Sequence, residues 1–248
     1  MLQQTQASRV EPVFVAFLHP FPIVSALAAA SGADVVRAWA GLGYNRRAVA
    51  LHRCARTIVS AHGGRVPREV HDLVGLPGVG PYTAAAVASI AFGVPVVAMD
   101  TNVRRIVARV AHGREPDEVS ARELAAAADA MLDVRAPGQW NQALMDLGRE
   151  VCRPRPACEV CPLATICRFR ASGRAGRSSV RRQSRFEGSG RQVRGRVVAM
   201  LRERRSASAD ELAARTGFTP ARIHEALDGL ARDGVVEITR AGRARLPA

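Results

Sequence analysis

The sequence predicts an all-helical protein. From residue 1 to about 170, apolar residues recur at helical spacing almost throughout. Short loops carrying Gly or Pro separate these runs, and no alternating strand pattern interrupts them. The first run follows directly on Met1 to Gln6 and places Val10, Val13, Phe14, Phe17 and Leu18 at helical intervals, with no disordered lead-in. Asn45 to His62 sets Ala48, Leu51, Ala55, Ile58 and Val59 on one face, then stops at Gly63-Gly64. Pro81 to Phe92 is alanine-rich, which permits close helix packing. Asn102 to Ala111, Ser120 to Leu132 and Gln139 to Val151 continue the pattern.

Beyond residue 170 the character changes. Residues 171–190 lack periodicity and are rich in Gly, Ser and Arg, as in a flexible basic linker. Residues 191–248 read as a separate small module. A helix over Gln192–Arg204 precedes a second over Ser208–Arg215, a turn at Gly217, a third over Thr219–Asp233 and a hairpin around Ala241-Gly242. That order is winged-helix-like, an arrangement that serves both DNA binding and plain packing.

Charge narrows the partners. The chain has 36 basic against 22 acidic residues, a formal +14, with arginine as the basic residue. Arginine's planar fork of donors suits phosphate, so a polyanion is expected; a GC-rich genome writing Arg for Lys is the other source of such a bias. No apolar run approaches the roughly 20 residues of a membrane span. The nearest, Thr83 to Met99, is broken by Gly93 and Pro95. Four of the five cysteines crowd between positions 152 and 167, unlike a secreted disulfide framework, so a cytoplasmic protein is expected.

The sharpest motif is "VGLPGVGPYTAAAV" at 74–87. Leu76-Pro77 closes a short helix, Gly78-Val79-Gly80 turns tightly, and Pro81 opens the next helix, where its missing N–H costs nothing. Such a turn aims backbone N–H groups outward and binds a phosphate without reading sequence. An ordinary helical hairpin with glycine caps has the same look. Eighteen residues after Tyr82 stands Asp100, in "MDTNVRRIVARV", at a position that also suits a simple helix N-cap.

With "LPGVGPYTA" followed by "DTNVRR", the sequence resembles the helix-hairpin-helix DNA glycosylases. The resemblance implies that Asp100 is catalytic. Breaking the bond between base and deoxyribose builds positive charge on the sugar, and an ionised carboxylate beside C1′ stabilises it. The base must first be flipped from the stack. Bifunctional relatives such as endonuclease III carry a lysine at the hairpin position held here by Tyr82, and that lysine forms a Schiff base. The tyrosine, with "MLQQTQ", "GLGYNRRA" and "NQALMDLG", makes residues 1 to about 170 similar to the monofunctional MutY-type adenine DNA glycosylases. That likeness implies double-stranded DNA with a mismatch or oxidised guanine as partner, and a monomer. Gln4 would insert into the duplex beside Thr5, Tyr44 would pack against the oxidised guanine, and Asn102 would hold Asp100. Leu76, Gly78, Val79 and Gly80 would grip a phosphate.

Cys152, Cys158, Cys161 and Cys167 form C-x5-C-x2-C-x5-C, which fits either a [4Fe–4S] cluster or a zinc ion with four thiolates. The resemblance favours [4Fe–4S]; the family's first spacing is usually one residue longer. Cys54 reads as core. In the MutY-type family a glutamate that protonates the departing adenine lies two residues before the position of Met1. The 248-residue form is therefore expected to bind DNA but to excise adenine poorly. Residues 191–248 are too short and too helical for the nucleotide-hydrolase-like domain by which larger members recognise oxidised guanine. A thymine- or uracil-mismatch glycosylase or an endonuclease III-like enzyme on the same scaffold, and a non-catalytic DNA-binding iron–sulfur regulator, are the competing readings.

Overall fold

The computed structural model describes residues 1–3, 5–177 and 185–248. Gln4 and residues 178–184 of the expected linker lie outside the described residues. The helices run α1 (Ala7–Leu18), α2 (Val24–Ala29), α3 (Gly32–Ala38), α4 (Arg46–His62), α5 (Val70–Val74), α6 (Pro81–Phe92), α7 (Thr101–Val107), α8 (Ala121–Met131), α9 (Pro137–Glu150), α10 (Arg168–Ala171), α11 (Gly190–Glu203), α12 (Ala209–Thr216) and α13 (Pro220–Arg232). The hairpin β1 (Glu237–Ile238) and β2 (Ala244–Arg245) pairs antiparallel, with Glu237 opposite Arg245. Local chemistry sets many of these boundaries. Ser120 and Ser208 start α8 and α12 with reciprocal capping boxes to Glu123 and Glu211, and proline occupies the first turn of α6, α9 and α13. Among the described residues no helix is long and apolar enough to cross a membrane.

Packing divides the chain into two compact units, Met1–Val66 with Arg182–Ala248, and Pro67–Arg181. In the first, α1–α4 and α11–α13 close on one core: Val10, Phe17, Val35, Val36 and Trp39 are buried together with Val197, Leu201, Ile223 and Leu230. The segment read as a separate module thus shares its interior with the first helices. Within α1, Val10 and Phe17 stand seven residues apart on the buried stripe, while Phe14 and Leu18 fall on its flank and are exposed. The second unit buries Val103, Ile106, Val107, Leu124 and Leu144. Here the helix expected through Ala111 changes: α7 ends at Val107, and Ala108–His112 form a wider π turn. The start of the expected linker is tied down in the same unit, because Arg174 and Arg177 both donate to Glu118 Oε1 at 2.7 Å.

Candidate active site

In the second unit α5 ends at Val74. Leu76 is buried and its carbonyl accepts from the Val79 N–H at 3.1 Å, closing the hairpin turn. Its side chain therefore anchors the turn from inside, and the surface of the hairpin belongs to Gly78, Gly80, Pro81 and Tyr82, all exposed. Gly78 lies in the left-handed region at φ +79°, which glycine enters without penalty. Gly80 is extended, and a Cβ there would meet nothing within 4 Å.

The chain reaches Asp100 through residues 96–98, which Asn141 of α9 holds in place. The buried Asn141 side chain accepts from the Ala98 N–H at 2.8 Å and donates to the carbonyls of Val96 and Pro137, both at 2.9 Å. Asp100 then caps α7. Its Oδ1 accepts from the Val103 N–H at 2.7 Å, and its Oδ2 accepts from Asn102 Nδ2 at 3.4 Å. Capping and a fixed carboxylate are one arrangement. Asn102 is oriented in turn by Arg105, which donates to Asn102 Oδ1 at 2.8 Å, to the Gly148 carbonyl at 2.8 Å and to the Cys152 carbonyl at 2.7 Å. Gly148 of α9 lies so close that a Cβ there would stand 2.5 Å from Asn102 Cβ. Tyr82, on α6, donates its hydroxyl to Met145 Sδ at 3.6 Å. Burial first, and then the negative charge of Asp100, push the Tyr82 phenol above its ordinary pKa. Tyr82 therefore remains a neutral phenol within electrostatic reach of the carboxylate.

Cys152, Cys158, Cys161 and Cys167 line one pocket with apolar walls that include Ile106, Val110, Leu163 and Phe169. None is in a disulfide. The buried Arg109, delivered by the π turn, lies against it. Arg109 donates to Cys152 Sγ at 3.6 Å, to the carbonyls of Arg153 at 2.7 Å and Pro154 at 2.9 Å, and to Glu115 Oε1 at 2.8 Å. Its guanidinium sits 4.8 Å from the Phe169 ring centre. Burial raises the Cys152 thiol pKa while the Arg109 contact opposes that shift. Among the described residues no three His, Cys, Asp or Glu side chains group as ligands of a single metal ion.

In the first unit Arg47 gathers Thr5 and Tyr44. It donates to the Met1 carbonyl at 2.9 Å, to the Gln3 carbonyl, to Thr5 Oγ1 at 2.8 Å and to the Leu42 carbonyl at 3.3 Å. Its guanidinium lies 5.4 Å from the Trp39 ring and 5.6 Å from the Tyr44 ring. Thr5, Arg9, Leu42 and Tyr44 line an open, polar pocket.

Residues 1–128 match the profile described as HhH-GPD superfamily base excision DNA repair protein. An adenine DNA glycosylase of Mycolicibacterium smegmatis is 45% identical over 250 residues, spanning 99% of this chain and 84% of that one. The chain belongs to the HhH-GPD superfamily of base excision DNA repair proteins. Two solved structures share its fold. A thermostable thymine-DNA glycosylase superposes with a TM-score of 0.64 at 28% identity, covering 69% of this chain and 80% of that one. A non-covalent endonuclease III–DNA complex superposes at 0.59 and 26%, with the same coverage. For this HhH-GPD protein the hairpin, Asp100, Asn102 and Tyr82 were legible as motifs. Arg47, Arg105, Asn141 and Gly148 were not, although each lies in or beside a quoted stretch. Their roles depend on partners about 40 residues away, and only the helical register of polar Asn141 with Leu144 and Gly148 offered a signal.

Proposed function

We propose that this chain is a monofunctional DNA N-glycosylase that removes adenine mispaired with 8-oxoguanine or guanine in base excision repair. The observation that carries the reading is the Asp100 carboxylate, held by the Val103 N–H and Asn102 within electrostatic reach of the neutral Tyr82 at the hairpin helix. Once adenine is flipped from the duplex, its bond to C1′ breaks with the electron pair leaving on the base, which gains a proton. The cationic sugar is stabilised by Asp100, and water adds at C1′ with loss of its proton. Asp100 touches the reacting sugar, Tyr82 supports the cation, and Asn102 positions Asp100. The 248 residues contain no lysine, which supports hydrolysis over Schiff-base lyase chemistry. Open space around Gly80 leaves the hairpin surface bare for a phosphate.

Thr5 and Tyr44 contact the duplex on the strand opposite the adenine, and Gln4, outside the described residues, accompanies them. Cys152, Cys158, Cys161 and Cys167 would hold a [4Fe–4S] cluster. Four sulfur donors around an apolar pocket, with a buried arginine donating to one of them, are a fitting donor set. When bound, such a cluster supplies a crosslink between the ends of this loop and a redox-active centre. The protein acts as a monomer in the cytoplasm, on the nucleoid.

The deciding experiment incubates the purified chain with duplexes carrying A opposite 8-oxoguanine, A opposite G, T opposite G and U opposite G, and identifies the released base by mass spectrometry. Adenine is expected as the base released from the first two, however slow its release. Release of thymine or uracil instead gives the function to the mismatch-glycosylase reading that the thymine-DNA glycosylase fold represents.

A further inference from the structure

The loop between α3 and α4 carries Tyr44, at φ +46° the single non-glycine residue with positive φ among the described residues. Gly41 and Gly43 in the same loop are also left-handed. A tyrosine is disfavoured in this region, so the loop keeps its shape only while its surroundings hold it. Arg47 holds it from one side. The other restraint comes from α11, some 160 residues further along the chain. Arg202 Nε donates to the Val36 carbonyl on α3 at 3.1 Å, and its terminal nitrogen donates to Asn45 Oδ1, beside Tyr44, at 2.9 Å. One planar guanidinium thus bridges the helix before the loop and the residue that ends it. Arg37 returns a bond to the Arg202 carbonyl at 3.3 Å. The helix that presents Arg202 is fixed, since Val193, Val197, Val198 and Leu201 share a core with Val35, Val36 and Trp39.

We infer that Arg202 is a positioning residue, and that residues 190–248 serve as an internal scaffold that sets Tyr44 for discrimination of the base opposite the adenine. The inference rests on the reading of Tyr44 as the opposite-strand contact. The character of α13, the helix that would enter a groove if this segment read DNA, agrees with it. That helix sets Glu225 and Asp228 against Arg222 and Arg232, so it offers no net positive face to phosphate. The segment therefore acts on recognition through the loop it holds. Lysine cannot replace Arg202, because an ammonium lacks the rigid fork that spans both acceptors.

The test uses the full chain as Arg202→Ala, Arg202→Lys and Tyr44→Ala beside the parent. Hydrogen exchange of residues 40–46 is followed by mass spectrometry without DNA. Equilibrium affinity is measured for duplexes carrying a non-cleavable fluorinated adenosine opposite 8-oxoguanine or opposite G. Both Arg202 variants should exchange faster over 40–46 while residues 100–107 exchange as in the parent. The preference for 8-oxoguanine should fall about tenfold, towards that of Tyr44→Ala, with affinity for the duplex carrying G opposite the analogue unchanged. Arg202→Lys carries the test if the alanine variant fails to fold. Parental exchange or parental preference in the Arg202 variants, while Tyr44→Ala loses its preference, overturns the inference and leaves the Tyr44 reading standing. Unchanged preference in Tyr44→Ala overturns the reading itself, and the inference with it, whatever the exchange rates.

Discussion

At Gly148 a hydrogen atom is all that separates α9 from Asn102. A methyl group there would stand 2.5 Å from Asn102 Cβ, attached to backbone rather than to the end of a flexible side chain, so one of the two must shift. Gly148→Ala should cost about 1–3 kcal/mol in urea unfolding. It should also slow base release more than it weakens DNA binding, because the residue displaced is the one that holds Asp100. Parental single-turnover rates in this variant would mean that Asn102 does not need its place. The signal for Asp100 itself was local, since an aspartate three residues before its own backbone donor reads as a cap in any sequence. Gly148 gave none, because only the helix it meets, some 46 residues earlier in the chain, makes a glycine necessary there.

Helices and their caps follow from local chemistry, and the elements legible in the sequence are those with a capping serine, an N-terminal proline or a glycine turn. The connection into α7 is different, since no periodicity announces it and Asn141 fixes it from another helix. Asn141→Ala would strand a buried N–H at Ala98 and free two carbonyls, so a loss of about 3 kcal/mol in denaturant titration is expected. The segment after α10 was equally hidden behind a linker-like composition, yet Arg174 and Arg177 bind Glu118. That contact, with the backbone bond from Glu115, holds the Glu118 carboxyl down to about 2. A depressed carboxyl pKa stabilises the fold above its ordinary value near 4.5 and loses that contribution as pH falls towards 2. Glu118→Gln should therefore be less stable than the parent at pH 6, and the two unfolding curves should converge between pH 4.5 and pH 2. A gap that stays constant over that range would show that the charge of Glu118 is not what holds the segment carrying Arg174 and Arg177.

On the scale of the whole molecule, the first helices and the last share one core, while the hairpin, Asp100 and the cysteine pocket lie in the other unit. The composition break after residue 170 falls where the chain leaves one packed unit for the other, yet the segment beyond it shares its core with the first helices and does not form a module of its own. The function proposed here turns on the carboxylate at the capped start of α7. Single-turnover release of adenine by Asp100→Asn, set beside its affinity for the same non-cleavable duplex, tests this most directly. The substitution keeps the size of the side chain and an oxygen for the cap while removing the charge. Release should fall by at least about 100-fold with affinity within a few-fold of the parent. Release at the parental rate would contradict the account.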